Sequence, residues 1–282
     1  MNQRYGWLIC AAALSACAST PPTPPEPAGT LLAYEATAPA TYTYAFSDTS
    51  GFSIEGGAIG NIKATITGAG TAELQYAPAA GGIDLTVTLT DFAGTFTNTA
   101  AGGMTNATEA DVQGQARLHV DRQGVLTVAS LPTASRAAQA VGVGASFFRR
   151  FTLRLPGTLA RPGASWTDTV AVNEETGGTR AAVRDIVHST WARDTIVGGR
   201  TLNVITHATQ RTLDITGTSE GVEIAQHLTG TARGVTLWDA ARNVIVERTE
   251  TTDLSGTFDL PAMGISGLPV TAAGSGRISL RE

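Results

Sequence analysis

The sequence predicts an all-β protein, a large curved antiparallel meander of half-barrel or sandwich-like form with at most one short helix. Three observations predict it. From Thr41 onward apolar residues alternate with polar ones, as in TYTYAFS (41–47) and GIDLTVTLT (82–90), which is the pattern of half-buried strands. Short breaks rich in glycine and aspartate separate these runs, as turns require. A helix-like pattern interrupts them once, between residues 133 and 150.

The chain opens with Arg4 ahead of an apolar run, Trp7 to Ala16. That run is about half the ~20 residues of a spanning helix. A basic start, a short apolar stretch and small residues before a processing point describe a secretory signal over 1–16. Its end, Leu14-Ser15-Ala16-Cys17, resembles the lipobox of bacterial lipoproteins. The resemblance implies that the Cys17 thiol receives a diacylglycerol, that residues 1–16 are removed, and that the new amino terminus is acylated, typically with palmitate. Ala18, where an aspartate would retain such a protein at the inner membrane, implies transfer to the outer membrane, facing the periplasm. Several acyl chains anchor stably where one does not. Cys10 leaves with the signal, so the mature chain keeps no free thiol.

Residues 17–40 form a tether behind that anchor. ASTPPTPPEPAG (18–29) is rich in proline, which favours extended polyproline II and a reach of roughly 35–40 Å. The formal net charge is −5, and loss of Arg4 makes it −6; Lys63 is the one lysine. Such a chain lacks the basic footprint of a nucleic-acid binder and has no charge attraction to anionic lipid. Membrane attachment therefore falls to Cys17.

The remainder, 41–282, reads as one antiparallel β domain. Alternating runs recur near 58–67, 71–77, 92–98, 114–120, 124–129, 166–173, 181–192, 201–216, 222–232, 234–239, 243–253 and 268–280. Two hairpin signals match: Arg117 to Val128 turns at Asp121-x-x-Gly124, and Gly234 to Val246 turns between Asp239 and Asn243. Aspartate suits the first turn position, and glycine or asparagine the position with positive φ. The runs 41–132 and 165–282 can thus be read as two similar halves joined by 133–164.

In the joining segment, Ser135 can cap an alanine-rich helix with Ala138, Val141, Ala145 and Phe148 on one face. Gly142 and Gly144 oppose it at about 1 kcal/mol each, so helix and crossover both remain open. Phe147 and Phe148 are the only adjacent aromatic pair in the chain and are candidate contacts for an apolar ligand if they face solvent. Beyond them, Pro162-Gly163-x-x-Trp166-Thr167-Asp168 is similar to strand starts in β-rich secreted lipoproteins of bacteria, which implies a location and a fold.

Catalytic patterns are weak. Gly217-Thr-Ser-Glu-Gly221 matches G-x-S-x-G, but that elbow needs a helix after it, and the alternation of Val222, Ile224 and Leu228 predicts a strand. His207 and His227 flank this hairpin; with a bulge near Gln210, alternation turns both outward. A catalytic zinc needs three protein ligands, so no metal is expected. Glu174 and Glu175 read as a glycine-bounded turn, and Glu247, Glu250 and Asp253 alternate with threonines as a polar strand face. No phosphate loop is present and no cofactor is implied.

A binding role therefore ranks ahead of an enzymatic one. The first expectation is a lipid-anchored envelope protein whose concave sheet holds an apolar ligand, by fold-level analogy with the half-barrels of periplasmic lipoprotein carriers and their lipid-anchored receptors. The alternative is an envelope scaffold that presents a β-rich surface to a protein partner without a small ligand.

Overall fold

Alternation leaves one face of a sheet apolar, and something must cover that face. The computed structural model describes residues 29–56, 60–99, 103–176, 178–219 and 221–281; the signal, Cys17 and the proline-rich stretch lie outside them. The chain runs through β1 (Thr30–Leu31), β2 (Ala40–Ile54), β3 (Ile62–Ala79), β4 (Gly82–Asn98), β5 (Gly103–Thr108), β6 (Val112–Gln113), β7 (Ala116–Asp121) and β8 (Leu126–Ser130). Next come β9 (Thr133–Ala134), helices α1 (Arg136–Ala140) and α2 (Ala145–Arg149), and β10 (Leu159–Ala160). The second run comprises β11 (Ser165–Thr176), β12 (Thr179–Val197), β13 (Arg200–Ser219), β14 (Val222–Asp239), β15 (Val244–Leu260) and β16 (Ile265–Arg281).

Both runs belong to one antiparallel sheet, curled into a half-barrel, in the order β11-β12-β13-β14-β15-β16-β2-β3-β4-β7-β8, with β5 also paired to β4. Strand β16 pairs with β2 and so joins the two meanders side by side. The all-β expectation holds, and the half-barrel form is the one observed.

The expected hairpins form as their turn residues dictate. Asp121 Oδ1 accepts from the amides of Gln123 and Val125, and Gly124 takes φ +80°. Asp239 Oδ1 accepts from Ala241 and Arg242, and Asn243 takes φ +56°.

Several runs that the sequence separates are single long strands. The glycines read as a break between 67 and 71 lie inside β3, the break at Arg233 lies inside β14, and Asp91 at φ +59° lies inside β4. These inward glycines permit the curl. A Cβ on Gly230 or Gly256 would collide with a carbonyl oxygen of the adjacent strand, Asp253 or His227 respectively. Only bare backbone lets the strands approach so closely there.

The segment 131–164 crosses the concave face as a strap. Ser135 caps α1 by accepting from the Ala138 amide at 3.2 Å, as expected. Gly142 at φ +86° ends that helix, and α2 starts afresh three residues later. The strap spans the open side of the half-barrel. Val141 packs over Gly94 of β4, while Ser146 donates its amide and hydroxyl protons to Glu174 of β11. Beneath it lies the core, with Tyr34, Tyr44, Leu74, Leu85, Phe151 and Trp238 all essentially inaccessible. Two buried phenols fasten it: Tyr34 Oη accepts from the Leu153 amide and Tyr44 Oη donates to the Ile245 carbonyl, each at 2.7 Å.

Phe147 and Phe148 belong to this core. They are 4% and 1% exposed, and Phe147 meets Phe46 edge to face at 5.4 Å between centroids. Neither presents itself to solvent.

The curl makes a specific prediction about glycine. Gly256→Ala should destabilise the protein by about 1–3 kcal/mol, the usual cost of overpacking. At Gly276 a Cβ meets nothing nearer than 3.8 Å, so Gly276→Ala should stay within about 0.5 kcal/mol of wild type. Paired urea denaturation curves check both.

Candidate functional site

Cross-strand register arranges the inward residues of the concave face in rows. At the strapped end the rows are apolar and filled. Beyond them runs a polar row, Trp166, Ser189, His207, Gly234, Glu250, Gly276, Asp48, Gly68 and Gly94, one residue per strand from β11 to β4. Glycines flank Glu250 and Asp48 on both sides, and a side chain at Gly68 would crowd the Asp48 carboxylate at 3.1 Å. The gaps admit long side chains from neighbouring elements.

Arginines fill them. From the strap, Arg150 pairs with Asp48 and lies over the Phe147 ring at 4.0 Å, and Arg154 pairs with Asp168 of β11. From the sheet, Arg211 holds Asp185 through two bonds of 2.8 Å. Arg248 binds Glu250 at 2.6 Å and the Thr152 carbonyl of the strap at 3.1 Å. Burial alone would raise the Glu250 carboxyl, but Arg248 and Arg211 hold it below its usual value. The same logic applies to Arg211: burial pulls its pKa down, and Asp185 more than restores it.

His207 sits inside this belt, where alternation read from the sequence put it on the outer face. Its imidazole is buried, with Nδ1 3.0 Å from Ser189 Oγ and Nε2 2.9 Å from Thr236 Oγ1. The expected bulge near Gln210 is absent, and β13 pairs without slippage from Asn203 to Ser219. The irregularity lies on β12 at Trp191/Arg193, and Leu202 to Ile205 are four consecutive buried residues. Leu202 and Val204 therefore misreport the inward face. With a hydroxyl at each ring nitrogen, His207 is a buried imidazole whose hydrogen-bonding groups are both satisfied.

The other histidines are peripheral. His227 is exposed beside Asp214 at 2.5 Å, as alternation indicates, His119 lies 2.9 Å from Asp84, and His188 lies 2.8 Å from Thr167. Among the described residues no cluster of His, Cys, Asp or Glu is suited to a metal ion. Gly217 to Ser219 end β13 and Val222 opens β14, so the G-x-S-x-G match is followed by a strand. Glu174 and Glu175 lie in β11 rather than in a turn.

Past the belt the concave face turns apolar again. One row reads Val172, Val183, Leu213, Leu228, Gly256, Val270, Ile54 and Ile62, and the next includes Ile215, Phe258 and Leu268. Ile54, Leu228 and Val270 are buried where Gly256 lets their side chains converge. Phe52, Ile62, Leu213, Leu254, Phe258 and Leu268 around them stay partly exposed. This cluster is built from sheet residues alone. It forms an apolar trough at the end of the half-barrel, with the strap reaching Glu174 of β11 at one side and no strap residue in the cluster itself.

Phe148 also lines a hollow of 150 Å³ behind the strap, with Leu131, Pro132, Ala134, Gln139 and Val143. That is below the roughly 300 Å³ at which small-molecule pockets begin. The trough, the strap arginines and the inward position of Glu250 were missed by sequence reasoning. The available signal was Arg149-Arg150 directly after an aromatic pair, in a chain almost without lysine.

No protein-family model matches this chain, and no curated protein is similar to it.

Burial lowers the pKa of His207 to about 3, with Arg248 adding to the effect and Glu250 opposing it. An unfolded chain protonates this residue below about pH 6.5, whereas the folded one does not until near pH 3. Stability is therefore lost as pH falls below 6.5, by about 1.4 kcal/mol per unit from this group. Denaturation at pH 6.5 and pH 5 should show that loss in wild type and not in His207→Gln.

Proposed function

We propose that the protein is a lipid-anchored envelope protein, held through Cys17, whose concave face binds an apolar or lipid-like ligand. The observation that carries the reading is the trough: a second apolar patch on the inner face, with no other element of its cluster than the sheet itself. An ordinary sandwich would place a second sheet there. A groove with partly exposed leucine and phenylalanine side chains, bordered by a fixed polar belt, has the composition of a ligand site: mostly apolar walls with a few placed polar groups. The lipobox resemblance and the proline-rich tether support residence beside a membrane, where amphiphiles are abundant.

The ligand expected from this reading lies on Leu213, Leu228, Val270 and their neighbours, and the core residues Phe147 and Phe148 are not part of its site. The experiment is native mass spectrometry with solvent extraction on Cys17→Ser protein purified from a bacterial envelope. A stoichiometric apolar species is expected, and Phe258→Asp or Leu268→Asp should reduce its occupancy several-fold while the protein stays folded, because both side chains are partly exposed. An empty, compact protein would instead favour the scaffold reading.

A further inference from the structure

Among the described residues five arginines border the polar belt, and four of them meet a carboxylate: Arg150 with Asp48, Arg154 with Asp168, Arg211 with Asp185 and Arg248 with Glu250. The fifth, Arg149 at the end of α2, does not. Its Nε is buried without a hydrogen-bond partner, and no ion pair engages it among the described residues. A half-buried guanidinium left in this way costs free energy that its four neighbours recover.

Its surroundings explain why no neighbour serves it. Glu174 and Asp185 lie within electrostatic range, as does Arg154. Both carboxylates are already engaged, Glu174 by Ser146 and Asp185 by both arms of Arg211. Burial of Arg149 weakens its hold on its proton relative to free arginine, the direction expected for a cation short of water and of a counter-ion.

Position gives the vacant donor a meaning. Ser146, three residues earlier, touches Glu174 in the apolar end of the rows, and Arg154, five residues later, touches Asp168 at the polar end. Arg149 therefore lies along β11 at the border between belt and trough. From Leu213 on β13 to Ile62 on β3 the trough floor crosses six adjacent strands, about 24 Å at about 4.8 Å per step. One leaflet of a bilayer's hydrocarbon core is about 15 Å thick, so the floor accommodates one extended acyl chain.

We propose that the trough takes an anionic amphiphile, an acyl chain on the apolar floor with its carboxylate or phosphate head on Arg149. Arginine suits this role because its planar fork donates to two oxygens of either head group at once. The proposal rests on the reading of the trough as a ligand site and adds the class of ligand.

The test uses full-length Cys17→Ser protein and three probes of equal chain length: palmitate, hexadecyl phosphate and hexadecanol, each displacing a fluorescent apolar reporter. Both anions should bind at least about tenfold more tightly than the alcohol, the factor a charge-assisted hydrogen bond carries. Arg149→Gln should bring the anions to the level of the alcohol, leave alcohol binding unchanged, and not lower thermal stability, because no partner is orphaned and an unpaired buried charge is removed. Arg149→Lys should keep part of the preference. Equal affinity of wild type for all three probes, or undiminished palmitate binding by Arg149→Gln, would overturn the assignment to Arg149 while leaving the trough as a ligand site. Failure of wild type to bind any of the three would overturn the trough reading itself.

Discussion

A single sheet has no second layer to pack against, and the rest of this structure follows from how that is managed. The sheet curls until its inner face can be covered by a strap of some thirty residues instead of a whole opposing sheet. Curling requires the strands to approach more closely on the inside than Cβ atoms permit. The sequence supplies glycine at those points, Gly230 and Gly256 above all, where any side chain would meet the neighbouring backbone. The missing side chain, usually a loss within a strand, here lets neighbouring strands close up on the inner face.

The strap is then held by two different forces at two depths. Near the closed end its phenylalanines complete an aromatic core, in which Phe46, Phe92, Phe147 and Phe151 contact one another mainly edge to face. Further out, arginines of the strap meet carboxylates of β2 and β11. Buried ion pairs contribute little net stability, since desolvation offsets much of their attraction. What they contribute is register: Arg150 and Arg154 each have one carboxylate partner, on strands far apart in the sheet. The strap therefore has one seating, and no strap residue enters the apolar cluster past it.

Much of this was legible in the sequence. Strict alternation marked the strands, aspartate with glycine or asparagine marked the two matched hairpins, and Ser135 marked a helix start. The failures have physical causes. Glycine was read as punctuation between the runs 58–67 and 71–77 because its usual role is in turns, yet Gly68 and Gly70 are inward positions of a continuous strand. His207 was placed on the wrong face because Leu202 and Val204 are buried on the side opposite Ile205, so two consecutive residues are apolar and covered. Glu250 lies on a strand whose both faces carry polar residues, and there alternation loses its meaning. The trough was invisible for a related reason: a periodic pattern identifies an apolar face but says nothing about whether another part of the chain lies over it.

The junction between β16 and β2 has a consequence for how the molecule comes together. The strand that completes the middle of the sheet is made of residues 265–281, and its partner is made of residues 40–54. Each meander can zip up from its own hairpins, but the two can join only across most of the described chain, the kind of long-range contact that slows folding. Until that happens β2 and β16 both present bare edges, and exposed edges invite pairing with other chains. The seam at the centre of the finished sheet is thus the last part to close and the first place where an incomplete chain would be open to aggregation.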